Sequence, residues 1–97
     1  IAVIACDAIL SKQQARRLAV MAQDGLARAV RPAHTPLDGD TVFAMATDRI
    51  ALGDPVRDLA LLGGHAANCL GRAIARGIYE ADSLGALTAY RERFPPK

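Results

Sequence analysis

The chain opens on Ile1-Ala2-Val3-Ile4-Ala5-Cys6, six residues with no polar position on either side of a two-residue repeat. A strand apolar on both faces belongs in the middle of a sheet, with partners on both edges. Asp7 to Leu10 reads as a loop. Ser11 then opens a helix, because Ser11 and Gln14 have the spacing of a capping box. Ala15, Leu18, Ala19, Ala22, Leu26, Ala29 and Val30 recur at helical spacing, with Lys12, Gln13, Arg16, Gln23 and Asp24 opposite. One helix over 11–30 is predicted, ended by Pro32, since the residue before a proline is pushed out of the α region. Its alanines and Gly25 predict a close approach to a sheet.

Arg31 to Asp40, with two prolines and a glycine, is a loop. Thr41 to Thr47 is a second strand, Val42, Ala44 and Ala46 pointing one way and Phe43 and Met45 the other, so it too is apolar on both faces. A connector over 48–53 leads to Asp54-Pro55, an N-cap followed by proline at the first helical position. The stripe Leu59, Leu62, Ala66, Cys69 or Leu70, Ala73 and Ile74 carries this helix to about Arg76, with Gly77 as its C-cap. Gly63, Gly64 and Gly71 lie inside it, each costing about 1 kcal/mol relative to alanine. Three such costs predict a face packed closely against something. A shorter helix is predicted from Asp82 or Ser83 to Arg93, before Pro95-Pro96. Two buried strands with two long helices on one side make half of a layered α/β structure, and the missing strand partners are expected elsewhere.

Composition narrows the function. At 97 residues, 52% of them apolar, the chain is one domain or part of one and too hydrophobic for intrinsic disorder. No apolar run approaches the roughly 20 residues of a membrane span. A net charge of +2 with two Tyr, two Phe and no Trp gives no footing for nucleic acid. Cys6 and Cys69 allow at most one disulfide, and reduced thiols in a bacterial-type cytoplasm are the simpler expectation. The first residue is Ile1 rather than Met, and the opening run lacks the architecture of a signal peptide. A shortened chain and proteolytic maturation both explain that start.

Candidate chemistry concentrates in the loop before the second strand. In an extended segment Asp38 and Asp40 would point to one face about 6.6 Å apart. Two carboxylates so placed raise the pKa of one of them and make a proton-handling pair. Spacing alone favours the plainer alternative, an ordinary polar turn. His34 with Asp38 and Asp40 offers three possible metal ligands on one loop, but no further ligand cluster supports a metal. His65 and Cys69 stand four apart on a helix, two zinc-type ligands where four are needed. Arg16, Arg17, Arg72 and Arg76 read as solvated faces or inter-subunit ion pairs. There is no Gly-x-Ser-x-Gly elbow, phosphate loop or Cys-x-x-Cys, so spacing alone names no reaction.

The stretch from Gly25 through Arg31-Pro32-Ala33-His34-Thr35-Pro36-Leu37-Asp38-Gly39-Asp40-Thr41-Val42-Phe43-Ala44 resembles the small (β) chain of the self-processing DmpA-type aminopeptidases. This L-aminopeptidase/D-esterase family includes nylon-oligomer hydrolases and β-peptidyl aminopeptidases. The opening strand and the tail Ser83-Leu84-Gly85-Ala86-Leu87-Thr88-Ala89-Tyr90-Arg91 are similar to the same family, so the resemblance covers nearly the whole chain.

The resemblance implies that residues 1–97 form a single β chain, part of one domain shared with an α chain cut from the same precursor. The implied fold is half of a four-layer α/β/β/α sandwich of the N-terminal-nucleophile type, completed by that separate α chain. It implies cleavage just before a Ser or Thr that becomes the nucleophile, expected two residues upstream of Ile1. Asp38 and Asp40 match the family's acidic pair beside it, Asp40 bonding the nucleophile or its amine and Asp38 orienting the network. The implied activity is hydrolysis of a peptide or amino-amide substrate through an acyl-enzyme. No cofactor and no metal are implied, and the αβ units are expected in a homo-oligomer of four copies. Two alternatives remain: a self-cleaving glutamate N-acetyltransferase-like enzyme of ornithine biosynthesis, and a non-catalytic subunit of the same fold.

Overall fold

Two parallel strands, β1 (Ala2–Ala8) and β2 (Val42–Ile50), form the sheet of the computed structural model, which describes residues 1–96. Their register runs from Ala2 opposite Val42 to Cys6 opposite Ala46, then shifts so that Ala8 faces Ile50. Both strands outrun their predicted ends. Beyond Thr47, which donates its hydroxyl to Asp7 Oδ1 at 2.8 Å, the backbone passes through Asp48 at φ 55° and returns to accept Ile9 N–H at Ile50 O, 2.8 Å. That detour restores pairing after the register shift.

Between the strands run α1 (Lys12–Ala22) and α2 (Asp24–Ala29). The capping box forms as predicted: Ser11 Oγ accepts from Gln14 N at 3.2 Å, and Gln14 Oε1 accepts from Ser11 N at 2.8 Å. The single helix expected over 11–30 is instead broken at Gln23. The break serves packing: α2 swings against α3 (Pro55–Glu80), where Gly25 is buried on the backbone of Ala67 and Gly71. Gly25 therefore permits close approach to a helix, not to the sheet. Arg28 donates across the same seam to Asn68 Oδ1.

Asp54 caps α3, its Oδ1 accepting from Val56 N at 3.1 Å and Arg57 N at 3.0 Å. The helix continues through Gly77, which is interior rather than a cap, and ends before Ala81. The extra turn places Tyr79 beside Tyr90, ring centroids 6.5 Å apart. Of the three glycines predicted to mark a packed face, Gly63 lies on the Met21 side chain and Gly71 on Gly25, while Gly64 faces open space. The predicted helix from Asp82 shrinks to α4 (Tyr90–Arg93). Leu84 and Leu87 exchange two 3.0 Å backbone bonds around Gly85 at φ 58°, a left-handed conformation that a continuing helix cannot contain.

The core sits on one side of the sheet. Ile4, Cys6, Val42 and Ala44 pack towards Leu18, Ala22 and Ala66. On the other face Val3, Phe43 and Met45 stay 60%, 55% and 55% exposed. Helix α3 lies along α1 and α2 and reaches only the margin of β1. The radius of gyration is 16.0 Å, against about 13 Å for a compact domain of this length. The architecture is mixed α/β, with helices on one side of a two-stranded parallel sheet. Among the described residues no helix is long and apolar enough to cross a membrane.

Candidate active site

The loop 31–40 delivers its acidic residues to the end of the sheet where β1 begins, because Ala2 N donates to Thr41 O at 2.9 Å and Asp40 is the next residue upstream. The loop is shaped by Thr35 and Asp38. Asp38 Oδ2 accepts from Thr35 N at 2.8 Å, Asp38 N donates to Thr35 O at 3.0 Å, and Leu37 N donates to Thr35 Oγ1 at 3.3 Å. Pro36 at the second position of this four-residue turn supplies the φ such turns need. The Thr35-x-x-Asp38 spacing was the available signal for it.

The Thr35 backbone N–H, followed by its side chain and the nearby His34, holds the Asp38 carboxyl below its ordinary range. Asp38 is therefore not the raised member that a like-charge pair would contain, because donated hydrogen bonds favour its ionised form. Its bonds to Thr35 close the turn that leads into β2.

Asp40 has a different partner. Its Oδ2 lies 3.2 Å from His34 Nδ1, with the Asp40 and His34 side chains 27% and 45% exposed. An ionised carboxylate only accepts, so this bond needs the proton on Nδ1. His34 reaches it from φ 58°, the left-handed region that few non-glycine residues enter, histidine being one of the more frequent. Among the described residues Asp40 Oδ1 accepts no hydrogen bond. The loop thus presents a half-buried carboxylate, anchored through one oxygen and open at the other, where the first strand starts.

His34, Asp38 and Asp40 do not act as one ligand set: Asp38 is turned to Thr35 and His34 to Asp40, and no group of three metal-ligating side chains gathers among the described residues. His65 and Cys69 are exposed on α3 and line, with Cys6, a groove of about 280 Å³ between β1 and α3, and both thiols are free. Arg76 approaches Glu80 at 4.0 Å, a solvated pair one helical turn apart. The sequence groups His34 with Asp38 and Asp40 only as possible ligands; that His34 bonds Asp40 directly is not visible from spacing, since no local motif joins residues six apart.

The family model described as Peptidase family S58 matches residues 1–91. Two uncharacterized aminopeptidases, one of Mycobacterium tuberculosis (strain ATCC 25618 / H37Rv) and one of Mycobacterium bovis, are each 47% identical over 105 residues, covering 98% of this chain and 30% of the relative. An uncharacterized aminopeptidase of Mycobacterium leprae is 41% identical over 105 residues, covering 98% of this chain and 29% of its own length. The chain thus spans about 30% of the length of the curated relatives it matches.

Proposed function

The chain belongs to peptidase family S58, the DmpA-type aminopeptidases, and from that premise we propose that it is the small chain of a self-processing amide or ester hydrolase. The observation that carries this reading is the Asp40 carboxylate, fixed by His34 and open at Oδ1 beside the start of β1. Continued upstream, the register of β1 against β2 would set the residue two positions before Ile1 opposite Gly39, between Asp38 and Asp40. A Ser or Thr there, freed at its N-terminus by cleavage, is the nucleophile of this proposal.

The chemistry follows from the weakness of a hydroxyl as a nucleophile. An α-amine with pKa about 7.7–8.0 is partly neutral near pH 7 and accepts the hydroxyl proton as the oxygen attacks the substrate carbonyl. The carbon–nitrogen bond of an amide, or carbon–oxygen bond of an ester, then breaks. The leaving group departs with that proton, and the acyl group remains on the hydroxyl oxygen. Water, losing a proton to the amine, attacks the acyl-enzyme, and the carboxylic acid leaves as the hydroxyl is restored. Asp40 holds the protonated amine through charge and fixes the hydroxyl's direction. Asp38 keeps the loop folded around it.

The remainder of the catalytic unit is proposed to come from the large (α) chain of the same precursor. The exposed apolar sheet face at Val3, Phe43 and Met45 supports this, because apolar area of this kind is stabilised by a covering layer. So does the free edge of β1. A second sheet laid on that face would complete a four-layer α/β/β/α sandwich.

The test is Asp40→Asn in the full-length precursor, which keeps shape and removes charge. Amide turnover by mature enzyme should fall about 10²–10⁴-fold, the range for one acid–base group, with the fold retained. Near-normal turnover from a correctly cut Asp40→Asn protein would return the loop to a structural role.

A further inference from the structure

We infer that His34 is a positioning residue for the proposed reaction, its Nδ1–H fixing the Asp40 carboxylate so that Oδ1 is left for the nucleophile and its amine. This rests on the role proposed above for Asp40. Exposed ion pairs are ordinarily worth little, and a surface histidine needs no explanation by itself. This one differs in how the chain is arranged to make it. The backbone enters the left-handed region at His34, φ 58°, and three hydrogen bonds between Thr35 and the Leu37–Asp38 segment hold the turn that follows. Together they bring the ring back to a carboxylate six residues along, at 3.2 Å.

The geometry also sets what the ring does. A bond from Nδ1–H at 3.2 Å engages Oδ2 of Asp40 and restricts rotation of the carboxylate, which leaves Oδ1 as the oxygen free for another partner. A general base or charge partner that is itself oriented by a third group is the recurring logic of activated hydroxyls. His34 touches neither nucleophile nor substrate in this scheme. It acts only through Asp40.

The experiment uses the full-length precursor with His34→Ala, His34→Asn, Asp40→Asn and the double variant His34→Ala/Asp40→Asn. Self-cleavage is followed by gel, and turnover of an amino-acid anilide gives kcat and KM. His34→Ala should slow self-cleavage and kcat about 10- to 100-fold while KM stays within about threefold, as expected for a lost bond to a charged group. His34→Asn, whose amide can donate from near the Nδ1 position, should restore most of that loss. Adding His34→Ala to Asp40→Asn should cost no more than about twofold, because the two act as a unit. If His34→Ala cannot be folded, His34→Gln takes its place against His34→Asn, since the longer amide reaches towards Nε2 and should fail to rescue. Equal losses from His34→Ala in both backgrounds, or parental rates in His34→Ala, overturn the inference while leaving the Asp40 reading intact. Parental rates in Asp40→Asn overturn that reading, and with it this one.

Discussion

Replacing Gly25 by alanine should loosen the seam between α2 and α3. A Cβ at Gly25 would run into the carbonyl oxygen of Ala67 and would lie 3.0 Å from Gly71 N and from the Leu70 Cβ. Two of these three neighbours are backbone atoms of a 26-residue helix, so no side chain can swing aside and α2 must move as a body. Overpacking of this kind costs about 1–3 kcal/mol. Removing a helical glycine returns at most about 1 kcal/mol, and less near a helix start. The net loss is therefore about 1–2 kcal/mol, about 1–3 °C in Tm for a protein of a few hundred residues. Thermal unfolding of the full-length protein reads it, with Gly64→Ala as the contrasting change. Gly64 has nothing within 4 Å of where its Cβ would stand, so alanine there should gain up to about 1 kcal/mol. A Gly25→Ala protein that melts at or above the parent would refute the close approach.

The loop and the sheet each give one further expectation. The Thr35 bonds hold the folded Asp38 pKa below its ordinary value of 3.8, so their contribution to loop stability is complete above that pH and is lost as pH falls through the folded pKa. An NMR titration of the Asp38 carboxyl should show a midpoint below 3.8, and a midpoint at or above it would contradict the turn described. If a large chain covers the open edge of β1 and the adjoining groove, Cys6 and Cys69 should resist a bulky maleimide in the folded full-length protein and react only after unfolding. Rapid native labelling of Cys69 would show that nothing covers the groove.

Local signals were legible where local chemistry decides structure. Ser11 with Gln14, and Asp54 with Pro55, marked helix starts that the hydrogen bonds reproduce. The two strands were legible too, but of the two faces expected to be buried only one is packed, and Phe43 and Met45 on the other stay exposed. Errors arose where tertiary contacts override propensity. The well-patterned helix breaks at Gln23, where Gly25 then meets Ala67 and Gly71, and Gly77 stays helical, the added turn bringing Tyr79 beside Tyr90. Gly85 ends a predicted helix through a conformation that spacing does not reveal. At the site, Asp38 and Asp40 stood out as a pair, but their separate partners, Thr35 and His34, depend on a loop path that only the fold supplies.

The intact mass of the purified full-length protein tests the central claim most directly. Two polypeptides are expected, the smaller beginning with a Ser or Thr two residues upstream of Ile1, and the appearance of both should be slowed by Asp40→Asn. A single uncut polypeptide that hydrolyses amides at full rate would contradict it.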